Sequence, residues 1–320
     1  MRPGVPSLRP PRRPATGAAL AVLAAVSAGC ELEEITLVES EDVVVAEVYV
    51  QVSATRSGDS RVTAWLHRTL DAGAPSSRPV PGADVLVTDE HGFSLELAEA
   101  EERTCVSATP VEGTGTCYST TADFAGRIRP GDALEVEITL PGGGVLRGSS
   151  TVPGEFRLVT PAGEGTCTVQ PLSPLEVRWT GSAGAWAYVN ETLISGLRAA
   201  LEPKGIEVEK DPLYLLGLSV SSSDTTIVLP GEFGVFERFD LAQALALALQ
   251  DGLPESTEAR VTITAADRNY VNWLRGGNFN PSGPVRIPSL RGDGTGVFAT
   301  SVSRSFTATV GGAGAPPCAG

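Results

Sequence analysis

The chain has 320 residues, of which 42% are hydrophobic and 19% are charged, and its formal net charge at pH 7 is −14. Binding to nucleic acid relies on lysine and arginine that displace counterions from phosphates, so this acidic balance argues against a nucleic-acid partner. The length is sufficient for two domains of ordinary size.

The first 29 residues predict a secretory signal. Four arginines lie in a basic opening segment, and an uninterrupted run of small apolar residues covers positions 18–26. This run is shorter than the roughly 20 apolar residues of a membrane-spanning helix, and acidic residues follow it closely. Removal of the signal takes away four arginines and no acid, so the formal charge falls from −14 to −18.

Cys30 is the predicted lipidation site. The residues Ser27-Ala28-Gly29 before it resemble the lipobox of bacterial lipoproteins, in which acyl chains on the cysteine anchor the protein to a membrane. An ordinary secreted protein cut after small residues is the alternative. Residues 30–42 are predicted to form an acidic tether, whose opening Glu31-Leu32-Glu33-Glu34 resembles a surface-export signal of Gram-negative lipoproteins. We therefore predict an outer-membrane lipoprotein of the bacterial cell envelope, exposed at the surface.

Four further cysteines form an even set that suits an oxidising compartment: Cys105, Cys117, Cys167 and Cys318. They allow three pairings, of which we predict Cys105 with Cys117 and Cys167 with Cys318. Loop closure gives each disulfide about 3 to 5 kcal/mol of stabilisation, with more for the longer loop. A zinc site is the alternative, but the chain has no Cys-x-x-Cys pair and only two histidines.

The first predicted domain, residues 43–152, carries short strands separated by turn residues. Five apolar residues alternate with polar ones from position 43 to 52, which predicts a half-buried strand. A second strand over 61–70 turns Trp65 and His67 outward, and at least four more strands follow, near 83–89, 93–97, 118–120 and 133–138. This spacing favours an antiparallel sandwich.

The second predicted domain, residues 153–320, is also rich in strand patterns. We expect strands at 175–179, 185–189, 213–220, 225–229, 260–265 and 305–310, with the first two paired across the turn at 180–182. A helix is predicted over 241–250, capped by Asp240 and ended by Gly252 and Pro254. A second helix is predicted over 193–201, with Gly205 ending it. The expected fold is mostly β, with one or two helices in the second domain.

Several motifs resemble a known family. The Val-rich first strand, the segment Pro81-Gly82-Ala83-Asp84-Val85 and the turn Arg129-Pro130-Gly131 are similar to a carboxypeptidase-regulatory-like, or transthyretin-like, sandwich with Ig-like topology. The seam Thr151-Val152-Pro153, the segment 278–280 and the glycine-rich segment 292–298 resemble uncharacterised bacterial surface lipoproteins with a domain of unknown function. Genes of that family often neighbour TonB-dependent outer-membrane receptors, so the resemblance implies a location and a partner class but no catalytic residues.

The sequence shows no catalytic constellation. His67 lies on an outward strand face, His91 lies in a turn, and no Gly-x-Ser-x-Gly motif is present. The glycines at 292, 294 and 296 lack the following helix of a phosphate-binding loop and predict a turn before a strand. Carboxylates for hydrolysis could come from Glu232, Glu237 and Asp240, and a weak cation site from Asp267 and Asp293. We predict no catalytic residue, no cofactor and no metal.

Three aromatic residues are candidates for a binding surface: Trp65, Tyr270 and Trp273. The alternative is that they form the contact between the two domains. The predicted function is a non-enzymatic envelope lipoprotein that assists a TonB-dependent transporter or binds a nutrient or protein ligand. An extracellular hydrolase that uses carboxylates and a structural adhesin are the alternatives.

Overall fold

The computed structural model describes residues 42–54, 60–69, 77–106, 114–120, 124, 126–230, 243–277, 286–311 and 314–318. Several predicted features lie outside these residues: the signal segment, Cys30, the tether up to residue 41, Glu232, Glu237, Asp240 and the segment 278–280. The predictions made for them stay predictions.

Alternating apolar residues produce most of the regular structure as strands. The strands of the described residues are β1 (Val44–Ser53), β2 (Arg61–Arg68), β3 (Asp84–Asp89), β4 (Ser94–Ala100), β5 (Thr116–Ser119), β6 (Ala133–Thr139), β7 (Val145–Thr151), β8 (Leu158–Thr160), β9 (Thr166–Val169), β10 (Leu175–Trp179), β11 (Ala187–Ser195), β12 (Leu213–Leu218), β13 (Thr226–Leu229), β14 (Glu258–Ala266), β15 (Arg291–Gly292) and β16 (Gly294–Val310). The helices are α1 (Glu102–Cys105), α2 (Leu197–Leu201), α3 (Gln243–Ala248) and α4 (Arg268–Gly276). The fold is therefore mostly β, as predicted.

One large mixed sheet contains strands from both halves of the chain. Its order is β12-β11-β14-β16-β1-β2-β5-β4-β3-β6-β7-β15, and β9 pairs with β16 outside this path. Most neighbours are antiparallel, but β16 runs parallel to β1 from Val44 opposite Gly294 to Ser53 opposite Ser303. The sequence did not indicate this pairing, because alternation within one strand carries no information on the direction of a distant partner.

The sheet curls so that β7 lies against β16, and the apolar faces meet in a sandwich-type core. A Cβ atom at Gly148 of β7 would lie 3.3 Å from Phe298 of β16 and 2.7 Å from Leu290. The inward residues of β1 are almost fully buried, as the alternation predicts, and Phe298 and Leu146 are completely buried between the layers. Burial of side chains of this size contributes about 1.5 to 3 kcal/mol each.

Glycines make the close approach of β16 possible. A Cβ atom at Gly296, whose φ is +142°, would come within 1.9 Å of the carbonyl oxygen of Ala46, and one at Gly292 within 2.0 Å of the Val145 oxygen. No L side chain fits at such distances. The glycine-rich segment leads into a strand, as predicted, but Gly292 lies in β15 and Gly294 and Gly296 already belong to β16, so only the bend at Asp293 separates the two strands. β16 also extends far beyond its predicted parts.

A second, three-stranded sheet has the order β13-β10-β8. The predicted pairing of strand 175–179 with strand 185–189 is wrong, since β10 pairs with β13 and β8. β11 instead pairs with β12 and β14 in the main sheet. The turn lies at residues 183–184, just after the predicted position, and the segment connects strands of two different sheets.

The helices differ from the predictions in two places. The predicted helix over 193–201 is wrong in its first part, because Leu193, Ile194 and Ser195 extend β11 between two partner strands, and only α2 is helical. The nine-residue α4 was not predicted. Within the described part of the 241–250 segment, α3 is helical as expected. None of the described helices has the length and apolarity needed to span a membrane.

The disulfides join Cys105 to Cys117 and Cys167 to Cys318, which are the predicted pairs. The first ties α1 to β5, and the second ties β9 to the carboxyl-terminal segment. The described residues, from 42 onward, belong to one compact unit. The boundary between residues 152 and 153 stays a prediction, although β1 and β16, from the two predicted domains, pair along the whole of β1.

Candidate binding site on the outer sheet face

A cavity of about 240 Å³ lies on the outer face of the main sheet, between α4 and the strands below it. We call it the tyrosine pocket. Its lining includes six polar or aromatic side chains: Tyr49, Arg61, Glu191, Tyr214, Thr264 and Tyr270. They come from β1, β2, β11, β12, β14 and α4, so residues far apart in the sequence meet only through the sheet topology.

α4 forms one wall of the pocket because its amino terminus is fixed to the sheet. Asp267 caps the helix: its Oδ1 accepts a hydrogen bond of 2.8 Å from the Tyr270 backbone N–H. The Asn269 side chain donates to the carbonyl oxygens of Ser149 and Phe298, at 3.0 and 2.9 Å. Val271 and Trp273 pack into two clusters on the sheet. This arrangement holds Tyr270 at the pocket.

The two inner tyrosines of the pocket pack against each other. The rings of Tyr49 and Tyr270 have centroids 5.4 Å apart and are tilted by 54°. Burial, and then the neighbouring Glu47 carboxylate, raises the pKa of Tyr49, and burial, and then Glu191, raises the pKa of Tyr270 well above the usual value. Both phenols therefore stay protonated and can donate hydrogen bonds.

The two phenol groups differ in their partners. The Tyr49 hydroxyl donates to Glu47 at 2.8 Å, and Glu47 in turn pairs with Arg286 at 3.1 Å. The Tyr270 hydroxyl makes no hydrogen bond to any of the described residues. Since it also lines the cavity, it is available to a bound molecule.

Thr264 supplies a buried hydroxyl to the pocket without a partner inside the protein. Its side chain is 3% exposed, and its Oγ1 makes no hydrogen bond to any described residue. A buried polar atom left unsatisfied costs about 1 to 3 kcal/mol, and such atoms are rare in folded proteins. A partner that enters the pocket would remove this cost. Thr63 and Ser301, both nearly buried, add further hydroxyl groups to the lining.

One charge of each sign lines the pocket. Arg61 donates through Nε to the Gln51 side chain at 2.9 Å, and among the described residues its terminal amino groups have no other partner. Glu191 accepts a hydrogen bond of 2.6 Å from the Tyr214 hydroxyl. The pocket thus has two charged groups, several hydroxyls and aromatic faces, which suits recognition of a polar molecule.

The predicted aromatic residues occupy different positions. Of the three, Tyr270 lines the pocket. Trp273 is 5% exposed and packs on Val297 and Ala299, with the Arg286 guanidinium 4.5 Å from its ring centroid. Trp65 lies on the same sheet face, but its indole covers Gly115 and does not line the cavity.

Two residues of the pocket, Tyr49 and Tyr214, were not among the residues predicted from the sequence. Tyr49 follows Glu47 on the outward face of β1, and Tyr214 is an exposed residue of β12. A tyrosine on an otherwise polar strand face was the available signal. It was not sufficient, because the helix that covers Tyr49 lies more than 200 residues away in the sequence.

A second polar cluster lies at the turn between β3 and β4. The His91 Nε2 atom is 4.0 Å from a Glu90 carboxylate oxygen and 3.9 Å from an Asp132 carboxylate oxygen. These groups lie close enough to share an ion. Glu90 and Asp132 each accept a backbone N–H, from Ala133 and Arg129, and two of the three residues are exposed. The contacts are those of a polar cluster at the surface, and we propose no metal site from them.

The two acids named as possible ligands of a weak cation site have hydrogen-bond partners within the fold. Asp267 and Asp293 contact opposite ends of β7: Asp267 accepts from the Ser150 hydroxyl at 2.5 Å and Asp293 from the Val145 N–H at 2.8 Å. Ser150 also lies 2.7 Å from the Thr300 hydroxyl. Burial raises the pKa of Asp267 to about 6. Neither histidine is part of this network, since His67 lies beside the Arg68 carbonyl and His91 in the surface cluster.

Comparisons with known proteins are distant. No family profile matches the chain, and no curated protein is significantly similar to it. A DUF4785 family protein from Legionella pneumophila is 12% identical over 68% of this chain, with a TM-score of 0.20, and the match spans 51% of that protein, about half its length.

Two other solved structures are similar at the same level. The fibronectin(III)-like modules of Clostridium thermocellum CbhA are 9% identical over 81% of this chain and 92% of their own, with a TM-score of 0.17. The two tandem V-type regions of VCBP3, a v-region-containing chitin binding protein, are 11% identical over 81% of this chain and 99% of their own, also with a TM-score of 0.17. Likenesses this weak assign neither a family nor an activity.

Proposed function

We propose that this protein is a non-enzymatic lipoprotein of the bacterial cell envelope that captures a small polar molecule in the tyrosine pocket. In this proposal Cys30 carries the lipid, residues 31–42 form a tether, and the folded body is displayed at the outer membrane. A TonB-dependent receptor is the proposed partner that takes up the captured molecule.

One observation carries the binding proposal. Thr264 lines the cavity, and its buried hydroxyl has no described hydrogen-bond partner. Folding gains nothing from such a group, whereas a ligand that donates to it or accepts from it would gain a hydrogen bond already shielded from water. The pocket also has aromatic faces and an unpartnered phenol, which orient and hold a small molecule.

The location and the receptor are supported by the sequence alone. The lipobox-like residues before Cys30, the acidic residues after it and the even number of other cysteines agree with export to an oxidising compartment. The receptor follows from the family resemblance of the turn motifs.

Binding is tested with the full-length processed protein, purified from membranes in detergent. Its thermal unfolding is followed in the presence of a panel of sugars, amino acids and organic acids. Thr264→Val should raise the free energy of unfolding by about 1 kcal/mol, because it removes the unsatisfied hydroxyl. The same variant should lose the stabilisation that the bound molecule gives to the natural protein.

Thr262→Val is the matched control for this experiment. Thr262 lies two residues away on the same face of β14 but is not part of the pocket lining. Its replacement should leave ligand binding intact. Equal binding by natural protein and Thr264→Val would contradict the proposed site.

Anchoring and uptake need separate tests. Mass spectrometry of the mature amino terminus should find a lipid-modified Cys30, and an unmodified terminus would contradict the anchor. Deleting this gene and the gene of a neighbouring TonB-dependent receptor separately should impair uptake of the same nutrient. Normal uptake in both strains across a wide panel would contradict the transport role.

A hydrolase is separated from this proposal by an activity screen. Purified protein is incubated with glycans and peptides, alongside variants with Glu232 and Glu237 changed to Gln. The proposal expects no turnover by any of these proteins. Turnover that is lost in the variants would establish the alternative.

A further inference from the structure

We infer that the molecule bound by the tyrosine pocket is an uncharged, hydroxyl-rich ring of about monosaccharide size. This inference rests on the proposed function, since it names the chemical class that the same pocket would take. Three properties of the pocket carry it: the balance and separation of its charges, its hydroxyl groups and its volume.

The charges of the pocket cancel. Arg61 and Glu191 supply one positive and one negative group, while nearby Glu47 is already paired with Arg286. Asp267 accepts hydrogen bonds from Ser150 and from the Tyr270 backbone. An anion or a cation in the pocket would therefore leave a charge of one sign without compensation at a partly enclosed site. A neutral molecule leaves none.

The separation of the two charges disfavours a free amino acid. β2, which carries Arg61, and β11, which carries Glu191, have β1, β16 and β14 between them. At about 4.8 Å per strand, the two strand axes lie roughly 19 Å apart. The ammonium and carboxylate of an α-amino acid are attached to the same carbon and cannot contact both partners. A neutral ring of similar size hydrogen-bonds to either charged side chain and leaves no charge of its own without a partner.

The hydroxyl groups of the pocket match those of a sugar. The side chains of Thr63, Thr264, Tyr270 and Ser301 can each donate and accept a hydrogen bond, and sugar hydroxyls have the same capacity. The tyrosine rings offer an apolar surface to the C–H face of the ring.

The volume limits the size of the ligand. At about 240 Å³, the cavity is smaller than the roughly 300 to 1,000 Å³ of pockets for drug-sized molecules. A single sugar ring fits this space, whereas a longer ligand must extend outside it. Such a ring can be a free monosaccharide or one unit of a glycan.

The test compares sugars that differ by one charged group. Isothermal titration of the full-length processed protein uses D-glucose against D-glucuronate, and N-acetyl-D-glucosamine against D-glucosamine, with L-alanine as the zwitterion. We expect at least one neutral sugar to bind at least tenfold more tightly than its charged counterpart, and L-alanine to bind more weakly than that sugar. Cellotriose and chitotriose, titrated alongside, separate the two sources: tighter binding of a trisaccharide indicates a glycan, and equal or weaker binding a free sugar.

A variant tests the charge balance directly. Glu191→Gln removes the negative group and keeps a hydrogen-bonding side chain, so Arg61 becomes uncompensated. The association constant of D-glucuronate, divided by that of D-glucose, should then rise at least tenfold. Glu258→Gln, on the same sheet but outside the pocket lining, is the control and should leave the ratio unchanged.

The outcomes separate this inference from the proposed function. Binding of D-glucuronate, D-glucosamine or L-alanine at least as tight as that of the neutral sugars would overturn the inference and leave a binding pocket in place. An unchanged ratio in Glu191→Gln would also overturn it. If no compound of the panel or the trisaccharides binds at millimolar concentration, the inference fails. The proposed function fails with it only if none of the sugars, amino acids and organic acids of the thermal-unfolding panel stabilises the protein.

Discussion

The ring of Tyr270 in α4 packs on the ring of Tyr49 in β1, with 5.4 Å between the two centroids. This contact joins a short helix near the carboxyl end of the chain to the first strand of the main sheet. It also places two neutral phenols at one cavity. The aromatic pair is therefore a packing contact and part of the candidate binding site, and the two roles can be separated by substitution.

Tyr270→Ala and Tyr270→Phe separate the packing from the hydroxyl. Loss of the whole ring should lower the free energy of unfolding by about 2 to 4 kcal/mol, because it leaves a cavity between α4 and β1. Tyr270→Phe keeps the ring and should change stability by less than about 1 kcal/mol. Urea unfolding of both variants measures this, and equal losses in the two would show that the hydroxyl, not the ring, stabilises the contact.

Asp267 should make the stability of the protein dependent on pH. Burial raises its pKa from 3.8 to about 6 in the folded state, so between these values the folded protein keeps a proton that the unfolded chain loses. The stability that this group contributes is complete below about pH 4 and is lost as the pH rises through 6. The loss amounts to about 3 kcal/mol.

Asp267→Asn tests this dependence. The amide oxygen can still cap α4, and the amide N–H can donate to Ser150. We expect the free energy of unfolding of the variant, relative to the natural protein, to rise by about 3 kcal/mol between pH 4 and pH 7. Urea unfolding at several pH values gives this difference, and a constant difference over the range would contradict the assignment.

The two disulfides should differ in their contribution to stability. The sequence separations are 12 residues for Cys105 and Cys117 and 151 for Cys167 and Cys318. Because the cross-link restricts the unfolded chain more when its loop is longer, removal of the second should cost about 5 kcal/mol and removal of the first about 3. Paired Cys-to-Ser variants compared by urea unfolding check the order, and the reverse order would contradict the loop argument.

Gly296 should not tolerate a side chain. A methyl group there would meet the Ala46 carbonyl oxygen at 1.9 Å, and the φ of +142° is unfavourable for any L residue. Gly296→Ala should destabilise the protein by more than about 3 kcal/mol or prevent its folding. Gly142→Ala is the control, since nothing lies within 4 Å of its Cβ position. Thermal unfolding of the two variants should differ clearly.

The limits of sequence reasoning are visible at α4. Asp267 was read as a possible cation ligand, yet it caps a helix formed by residues with modest helix propensity, such as Asn269 and Tyr270. The helix is stabilised by packing of Val271 and Trp273 on the sheet. That contribution depends on the surface beneath the helix, which a local pattern does not contain.

Local patterns determined the elements whose physical cause is local. The alternation of Val44 to Val52 predicted a half-buried strand, and the glycines before Val297 predicted that a strand begins there, which is part of β16. The even number of cysteines predicted two disulfides, and the pairing chosen from the three possible ones is the pairing that the structure has. The interactions that determine a strand or a glycine-rich segment lie within a few residues. For the disulfides, a cysteine can form such a bond only with another cysteine.

Only the tertiary structure decided the pocket. The parallel pairing of β1 with β16 places Tyr49 beneath α4. The order of the strands in the main sheet places Glu191 and Thr264 at the same cavity. A strand's own residues fix which face is buried, but they do not specify which distant strand will lie beside it. The pairing of distant strands depends on the free energy of the whole packed sheet. The location of the candidate site depends on it in turn.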